Sequence, residues 1–285
     1  MDNKKRYIAD LILFIASIIW GLGYFFQKSG SETTAALTFN CMRYTIAALV
    51  ILTAARFRLP PKGEPLKYAV LTGVFMILGG NMQQIGIQIT SIGNASFITS
   101  IYIVLVPFLA ALILKRKIKK AHYFAALLSL AGLYLITTSG KGLSRISTGD
   151  VIVFIGSVFW AFQILLVSKG VSLCDPVVFT AGEFTTAAIL QFLVWLTFGK
   201  HDLTGVSVSW PYFTASGILV MGIAFMMQAY GQKHTGETEA SIIMGLESVF
   251  GTLFGFLLYH EQFSMVQLAG MAIIFTAVMI AVLKS

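Results

Sequence analysis

Charged side chains are scarce in this sequence: 11% of its 285 residues are Asp, Glu, Lys or Arg, against roughly 25% in soluble domains. With 57% hydrophobic residues and a mean hydropathy of +0.83, that scarcity excludes an ordinary water-soluble domain. Cysteine is limited to Cys41, inside an apolar stretch, and Cys174, in a loop, so neither a disulfide nor a metal framework is implied. The histidines, His122, His201, His234 and His260, all fall at the ends of apolar stretches, a poor arrangement for metal ligands that must converge. No phosphate-cradling glycine loop is present, so ATP is not the expected energy source and no cofactor is expected. The first apolar run lacks a convincing cleavage site and is expected to stay in the protein.

What the chain has instead is apolar length. A bilayer-spanning helix needs about 20 predominantly apolar residues. Ten such windows can be placed, at 8–28, 34–55, 66–88, 93–114, 121–139, 149–170, 176–198, 209–231, 237–259 and 263–283. Nothing remains for a soluble domain, so the expected fold class is an all-α polytopic membrane protein with ten transmembrane helices. The net charge of +8 is distributed by loop. With a cytoplasmic N-terminus, Lys4, Lys5, Arg6, Arg56, Arg58, Lys62, Lys67, Lys115, Arg116, Lys117, Lys119, Lys120, Lys169, Lys233 and Lys284 lie inside, 15 residues against the four outside, Lys28, Lys141, Arg145 and Lys200. The positive-inside rule then puts both termini in the cytoplasm, and the charge requires neither nucleic acid nor another anionic partner.

The line "ADLILFIASIIWGLG" at 9–23 returns as "GDVIVFIGSVFWAFQ" at 149–163. Without a gap it pairs Asp10 with Asp150, Ser17 with Ser157, Trp20 with Trp160 and Gly30 with Gly170; the same offset pairs Phe39 with Phe179 and Thr45 with Thr185. Offsets of 144 and 145 pair Gly73 with Gly217, Gln84 with Gln228 and Ser96 with Ser241. Two copies of a five-helix unit follow, residues 1–140 and 141–285. Because five is odd, the copies are expected to lie inverted in the membrane. Inverted repeats are a common transporter plan, with the substrate site near the midplane where the repeats meet.

The segments "TSIGNASFITSIYIVLVPFLAALILKRKIKK" at 90–120 and "FAALLSLAGLYLITT" at 124–138, the duplicated tryptophan helices, and "GLESVFGTLFGFLLYHEQFS" at 245–264 resemble EamA-type transporters of the drug/metabolite transporter (DMT) superfamily. The resemblance covers essentially the whole chain. It implies ten helices in two inverted repeats, an inner-membrane location and movement of small metabolites or drugs, often amino acids and usually outward. In one departure, Ser248 stands where the ninth-helix pattern has proline after its glutamate, which leaves a break in that helix open.

A charge at the bilayer centre costs from about 3 to more than 10 kcal/mol, so ionisable residues within spans are functional candidates. They are Arg43, Glu183 and Glu247. Arg43 reads first as a structural charge bonding helix-end carbonyls or a carboxylate, with an anionic substrate group as the alternative. Glu183, its repeat equivalent, is a proton-coupling candidate or a side chain snorkelling to the cytoplasmic face. Glu247 lies about 15 Å into its window, near mid-membrane. It could exchange protons, hold a cationic amine, or pair with Arg43.

Polar and aromatic residues at helical spacing supply the candidate substrate-binding set. Asn81, Gln84 and Gln88 share one face, continued by Ser91, and should meet either a cavity or interhelical hydrogen bonds. Ser17, Trp20 and Tyr24 stack on the first span; Ser157, Trp160 and Gln163 stack on the sixth, the tryptophans lying too deep for an interfacial belt. Tyr102, Gln228 and Glu247 complete the set, and Pro107 is expected to bend the fourth span. Gly251 and Gly255 suit close helix packing. Asp10 and Asp150 are expected to open helices and favour the dipole, and His260–Glu261 to form a solvated turn.

The resulting expectation is a secondary active transporter in the inner membrane, exporting small amphipathic metabolites by alternating access, possibly proton-coupled, as a monomer or homodimer surrounded by membrane lipids. Its rivals are a flippase for a lipid-linked intermediate, which would need a lateral opening, and a non-transporting receptor or scaffold. An intramembrane enzyme would need converging nucleophile, base and metal ligands, which the scattered histidines do not offer.

Overall fold

The computed structural model describes residues 3–113, 115, 117, 119–138, 147–199, 203–262 and 264–283. Arg116, Lys141, Arg145, Lys200, His201 and Lys284, and the boundary between residues 140 and 141, lie outside these. Among the described residues all regular structure is helical. The first half contains α1 (Asn3–Gly30), α2 (Ala36–Ala54), α3 (Glu64–Ile87), α4 (Ile92–Thr99), α5 (Tyr102–Ile113) and α6 (Lys120–Thr138). The second contains α7 (Thr148–Gly170), α8 (Pro176–Phe198), α9 (Val206–Ala215), a π-helical segment (Ser216–Ile223), α10 (Ala224–His234), α11 (Glu237–Met244), α12 (Glu247–Tyr259) and α13 (Met265–Leu283). Eight stretches are long and apolar enough to cross a membrane: α1, α2, α3, the α4–α5 pair, α7, α8, the α9–α10 stretch and the α11–α12 pair; α13 carries a shorter apolar run, Met265–Ala281.

Hydrophobicity does not choose the inward face of these helices, because lipid is as apolar as leucine. Leu11, Ile15, Leu127, Ile189 and Phe192 point outward, whereas Asn40, Gln84, Gln163 and Gln191 are buried. Polar side chains seek partners inside the bundle, and their positions set each helix's rotation. In the bundle α1 packs on α12 and α10, α3 on α7 and α8, α2 on α8 and the π-helical segment, and α6 on α13.

Local signals fix several helix starts. Ser147 accepts from the Asp150 amide while the Asp150 carboxylate accepts from the Ser147 amide, a capping box that opens α7. Asp175 accepts from the amides of Val177 and Val178 ahead of α8, with Pro176 in its first turn. Asp10 departs from expectation: α1 begins at Asn3, so Asp10 lies two turns in and accepts from Thr235 Oγ1 at 2.8 Å. The turn at His260–Glu261 is also more than solvated. His260 closes α12 in the left-handed region, and the Glu261 carboxylate accepts from the amides of Ile92 and Gly93 at the start of α4.

Three spans are irregular. The fourth breaks at Ser100–Ile101, between α4 and α5, where Ile103 and Val104 donate only three residues back; Pro107 lies inside α5 and cannot donate to the preceding turn. The ninth breaks at Gly245–Leu246 without any proline, through the three-residue bonds of Leu246, Ser248 and Val249. Ser248 Oγ donates to the Gly245 carbonyl at 2.8 Å, a local bond that competes with the regular ladder. The eighth widens into the π-helical segment.

Contacts recur at the offsets found in the sequence. A Cβ at Gly30 would meet the Phe39 ring at 2.0 Å, and one at Gly170 the Phe179 ring at 1.9 Å. A Cβ at Gly73 would fall 2.7 Å from the Glu183 carbonyl, and one at Gly217 2.9 Å from the Arg43 carbonyl. Thr90 donates to Asp150 as Thr235 donates to Asp10.

At Gly21 an added Cβ would lie 2.4 Å from Phe250 Cβ and 2.8 Å from the Gly251 amide nitrogen, whereas nothing lies within 4 Å of one at Gly236. Gly21→Ala should therefore cost about 1–3 kcal/mol by overpacking, lowering the melting temperature of the detergent-solubilised protein. Gly236→Ala should leave it within error; equal shifts would discount this helix contact.

Candidate substrate cavity

Residues from both halves line a partly open cavity with about 480 Å³ of empty space, open solvent included. From α1 come Trp20, Tyr24 and Gln27; from α7, Trp160, Gln163 and Ile164. The broken spans deliver Thr99, Tyr102 and Glu247, and the π-helical segment with α10 delivers Val220, Met221, Phe225 and Gln228. Arg43 and Gln83 reach it from α2 and α3.

The helix irregularities explain these placements. In the π-helical segment the Ala224 amide reaches back five residues to Leu219, and the Val220 carbonyl accepts from Trp20 Nε1 at 3.3 Å. Phe225 then packs edge-on against the Trp20 ring at 5.2 Å and tilted against Trp160 at 5.9 Å. At the two breaks, Ser100 Oγ lies 3.5 Å from the Gly245 carbonyl and 3.4 Å from Glu247 Oε1. Glu247 thus opens α12 inside the bundle, beside Tyr24 and Tyr102.

Seven of the ten sequence-derived substrate-binding residues line the cavity: Trp20, Tyr24, Tyr102, Trp160, Gln163, Gln228 and Glu247. The shared face of Asn81, Gln84 and Gln88 does not. Asn81 accepts from Asn40 at 2.6 Å and donates to Gln191 at 2.9 Å. Gln84 donates to Ser31 Oγ and the Gln27 carbonyl, and Gln88 is exposed. Their face of α3 serves interhelical bonding, while Gln83, about 100° round the helix, meets the cavity. Ser17 and Ser157 bond their own helices through the carbonyls of Phe14 and Phe154. Gln27 was legible as the next turn after Tyr24; Gln83 and Thr99 had no distinguishing spacing.

Glu183 neither snorkels nor touches solvent, being 1% exposed. Gln228 Nε2 donates to Gln163 Oε1 at 3.1 Å, and Gln163 Nε2 donates to Glu183 Oε1 at 2.7 Å, a chain leading from the cavity to a buried carboxyl. Arg43 makes none of the bracing bonds expected of it: its guanidinium nitrogens, all buried, have no hydrogen-bond partner, and it forms no ion pair with Glu247. Trp160 Nε1 is likewise buried without a partner, while the Tyr24 and Tyr102 hydroxyls face the Glu247 carboxyl. Among the described residues no three His, Cys, Asp or Glu side chains are grouped to hold a metal ion, and Cys41 and Cys174 are free.

The EamA-like transporter family model matches residues 7–138 and again 147–283. The chain belongs to the EamA-like transporter family. Membership of the DMT superfamily follows, and with it the character of a multi-pass membrane protein of a transport family. This EamA-family chain is 29% identical over 285 residues to a protein of Archaeoglobus fulgidus described as an uncharacterized transporter, covering 99% of this chain and 88% of that one. It is 26% identical to the uncharacterized inner membrane transporter YedA of Escherichia coli, covering 95% and 89%. One solved crystal structure superposes with a TM-score of 0.80 at 20% identity, over 97% of this chain and 99% of the other, a likeness of fold.

Gln163→Leu would strand both the Glu183 carboxyl and the Gln228 amide, at about 1–3 kcal/mol for each buried group left unpaired. It should clearly lower the melting temperature. Thr53→Ala removes only an exposed hydroxyl's bond to its own helix and should stay within about 0.5 kcal/mol of the parent protein. The reverse ranking would contradict this hydrogen-bond arrangement.

Proposed function

We propose that this protein is a secondary active transporter of ten spans, built as two inverted five-helix repeats, residues 1–140 and 141–285, with both termini in the cytoplasm. The fifth and tenth spans are α6 and α13. It exports small amphipathic molecules by alternating access, and Glu247 carries the coupling proton.

The observation that carries this reading is the pair of helix breaks meeting at the cavity. Ser100–Ile101 and Gly245–Leu246 correspond at the offset of 145, and their breaks bring Tyr102 and Glu247 side by side at one site. Discontinuous helices at a repeat interface are how transporters expose polar groups at mid-membrane. The Gly73–Glu183 and Gly217–Arg43 contacts and the two Thr–Asp bonds support the inverted arrangement, because each pair joins the same positions with the halves exchanged. Those bonds, Thr90 to Asp150 and Thr235 to Asp10, lie toward opposite ends of the bundle and suit gates that part in turn.

Aromatic walls with a few convergent polar groups fit an amphipathic organic substrate. Glu247, beside the hydroxyls of Ser100, Tyr24 and Tyr102, takes up and releases a proton as the site is rehydrated from alternate sides. Gln163, Gln228 and Glu183 orient the opposite wall.

A thermal-stability panel of amino acids, amines, nucleosides and amphipathic drugs should yield a ligand that raises the wild-type melting temperature, with the shift lost in Trp160→Ala. In proteoliposomes holding a pH-sensitive dye, that ligand should drive proton movement in the wild type and none in Glu247→Gln. Unchanged proton movement in Glu247→Gln would remove Glu247 as the coupling residue.

A further inference from the structure

We propose that the ligand of the central cavity is an organic anion, a carboxylate on an apolar ring-sized body, held through its carboxylate by Arg43. The proposal rests on reading the cavity as the substrate site and names the chemistry of what occupies it.

Arg43 is 0% exposed, lies in the middle of α2 and lines the cavity. A guanidinium offers five N–H donors in a fixed planar fork, yet neither Nε nor either terminal nitrogen has a hydrogen-bond partner. Its neighbours are the rings of Phe39 and Tyr44, 5.7 and 5.5 Å from the guanidinium carbon. Ring faces attract a cation and accept none of its in-plane hydrogen bonds. An uncompensated buried charge is strongly destabilising, and neither Glu183 nor Glu247, buried within the spans, pairs with it: Glu183 accepts from Gln163, and Glu247 stands with Ser100, Tyr24 and Tyr102. Arg43 is the only Lys or Arg among the residues lining the cavity, so the complement it lacks is an anion brought by a ligand.

The fork suits carboxylate, which accepts two parallel N–H bonds. The apolar body has the cavity-facing surfaces of Trp20, Trp160 and Phe225 to rest against. An amine would meet the guanidinium as a like charge, and a neutral amide would leave it largely uncompensated. The charge also complements the proton reading of Glu247: with its proton on, the cavity carries the single positive charge of Arg43, and a monoanion neutralises it.

The test compares isosteres on the intact purified protein in chloride-free buffer: 3-phenylpropionate, 3-phenylpropionamide and 3-phenylpropylamine, by calorimetric titration. In the wild type the carboxylate should bind at least about tenfold more tightly than either analogue, the scale of one charge-assisted hydrogen bond. Arg43→Gln should abolish that preference, and Arg43→Lys should keep it at weaker affinity, since a point charge replaces the fork. Equal binding of the three compounds by the wild type, no binding of the carboxylate at millimolar concentration, equal competition by chloride, or a preference surviving in Arg43→Gln would each overturn the proposal. The wild-type ranking needs no variant to fold. Because the readout is binding, a carboxylate held through Arg43 but not moved in proteoliposomes would sink the transport reading and leave this assignment standing.

Discussion

Hydrocarbon offers no hydrogen bonds, so every polar group placed in a span must find its partner inside the protein. That constraint organises the bundle more than apolar packing does, since the outer helix faces are as comfortable in lipid as the inner ones are in the core. Asn40, Asn81 and Gln191 join three helices through amide bonds, Gln84 ties α3 to the end of α1, and Gln232 ties α10 to the Ile164 carbonyl of α7. Once these bonds are made, the rotation of each helix is set, and the cavity is what the rotations leave between them.

Against that background the exceptions are informative. Arg43 turns inward onto the cavity with no hydrogen-bond partner at any of its three guanidinium nitrogens, and Trp160 Nε1 beside it is also unpaired. The helix breaks belong to the same account. An unbroken fourth or ninth span would run its side chains past the site at one fixed angle, whereas a break re-aims Tyr102 and Glu247 and leaves Ser100 and Gly245 facing one another.

Much of the architecture was legible in the sequence. The apolar windows matched helices to within a few residues, because span length is imposed by bilayer thickness and not by neighbours. Contacts recur at the offset read from the sequence: Gly30 on Phe39 returns as Gly170 on Phe179. Where the reading slipped, the cause was local. Asp10 looked like a helix opener because it precedes the apolar run, but in α1 the helix starts earlier, among charged residues outside the hydrocarbon. The face of Asn81, Gln84 and Gln88 was correctly seen as polar, yet periodicity cannot distinguish a face that bonds neighbouring helices from one that borders a cavity.

The sequence by itself determined the all-helical membrane character and the family, and it named seven of the residues that line the cavity, since these follow from hydropathy and pattern. Tertiary structure alone decided which polar residues are consumed by the fold and which remain for a ligand. Glu183 and Arg43 are equivalent in the repeat and alike in depth, but Glu183 meets Gln163 while Arg43 meets only ring faces. The difference arises from which helices cross beside them, and a side chain's partners across helices are set by packing angles that no single span encodes.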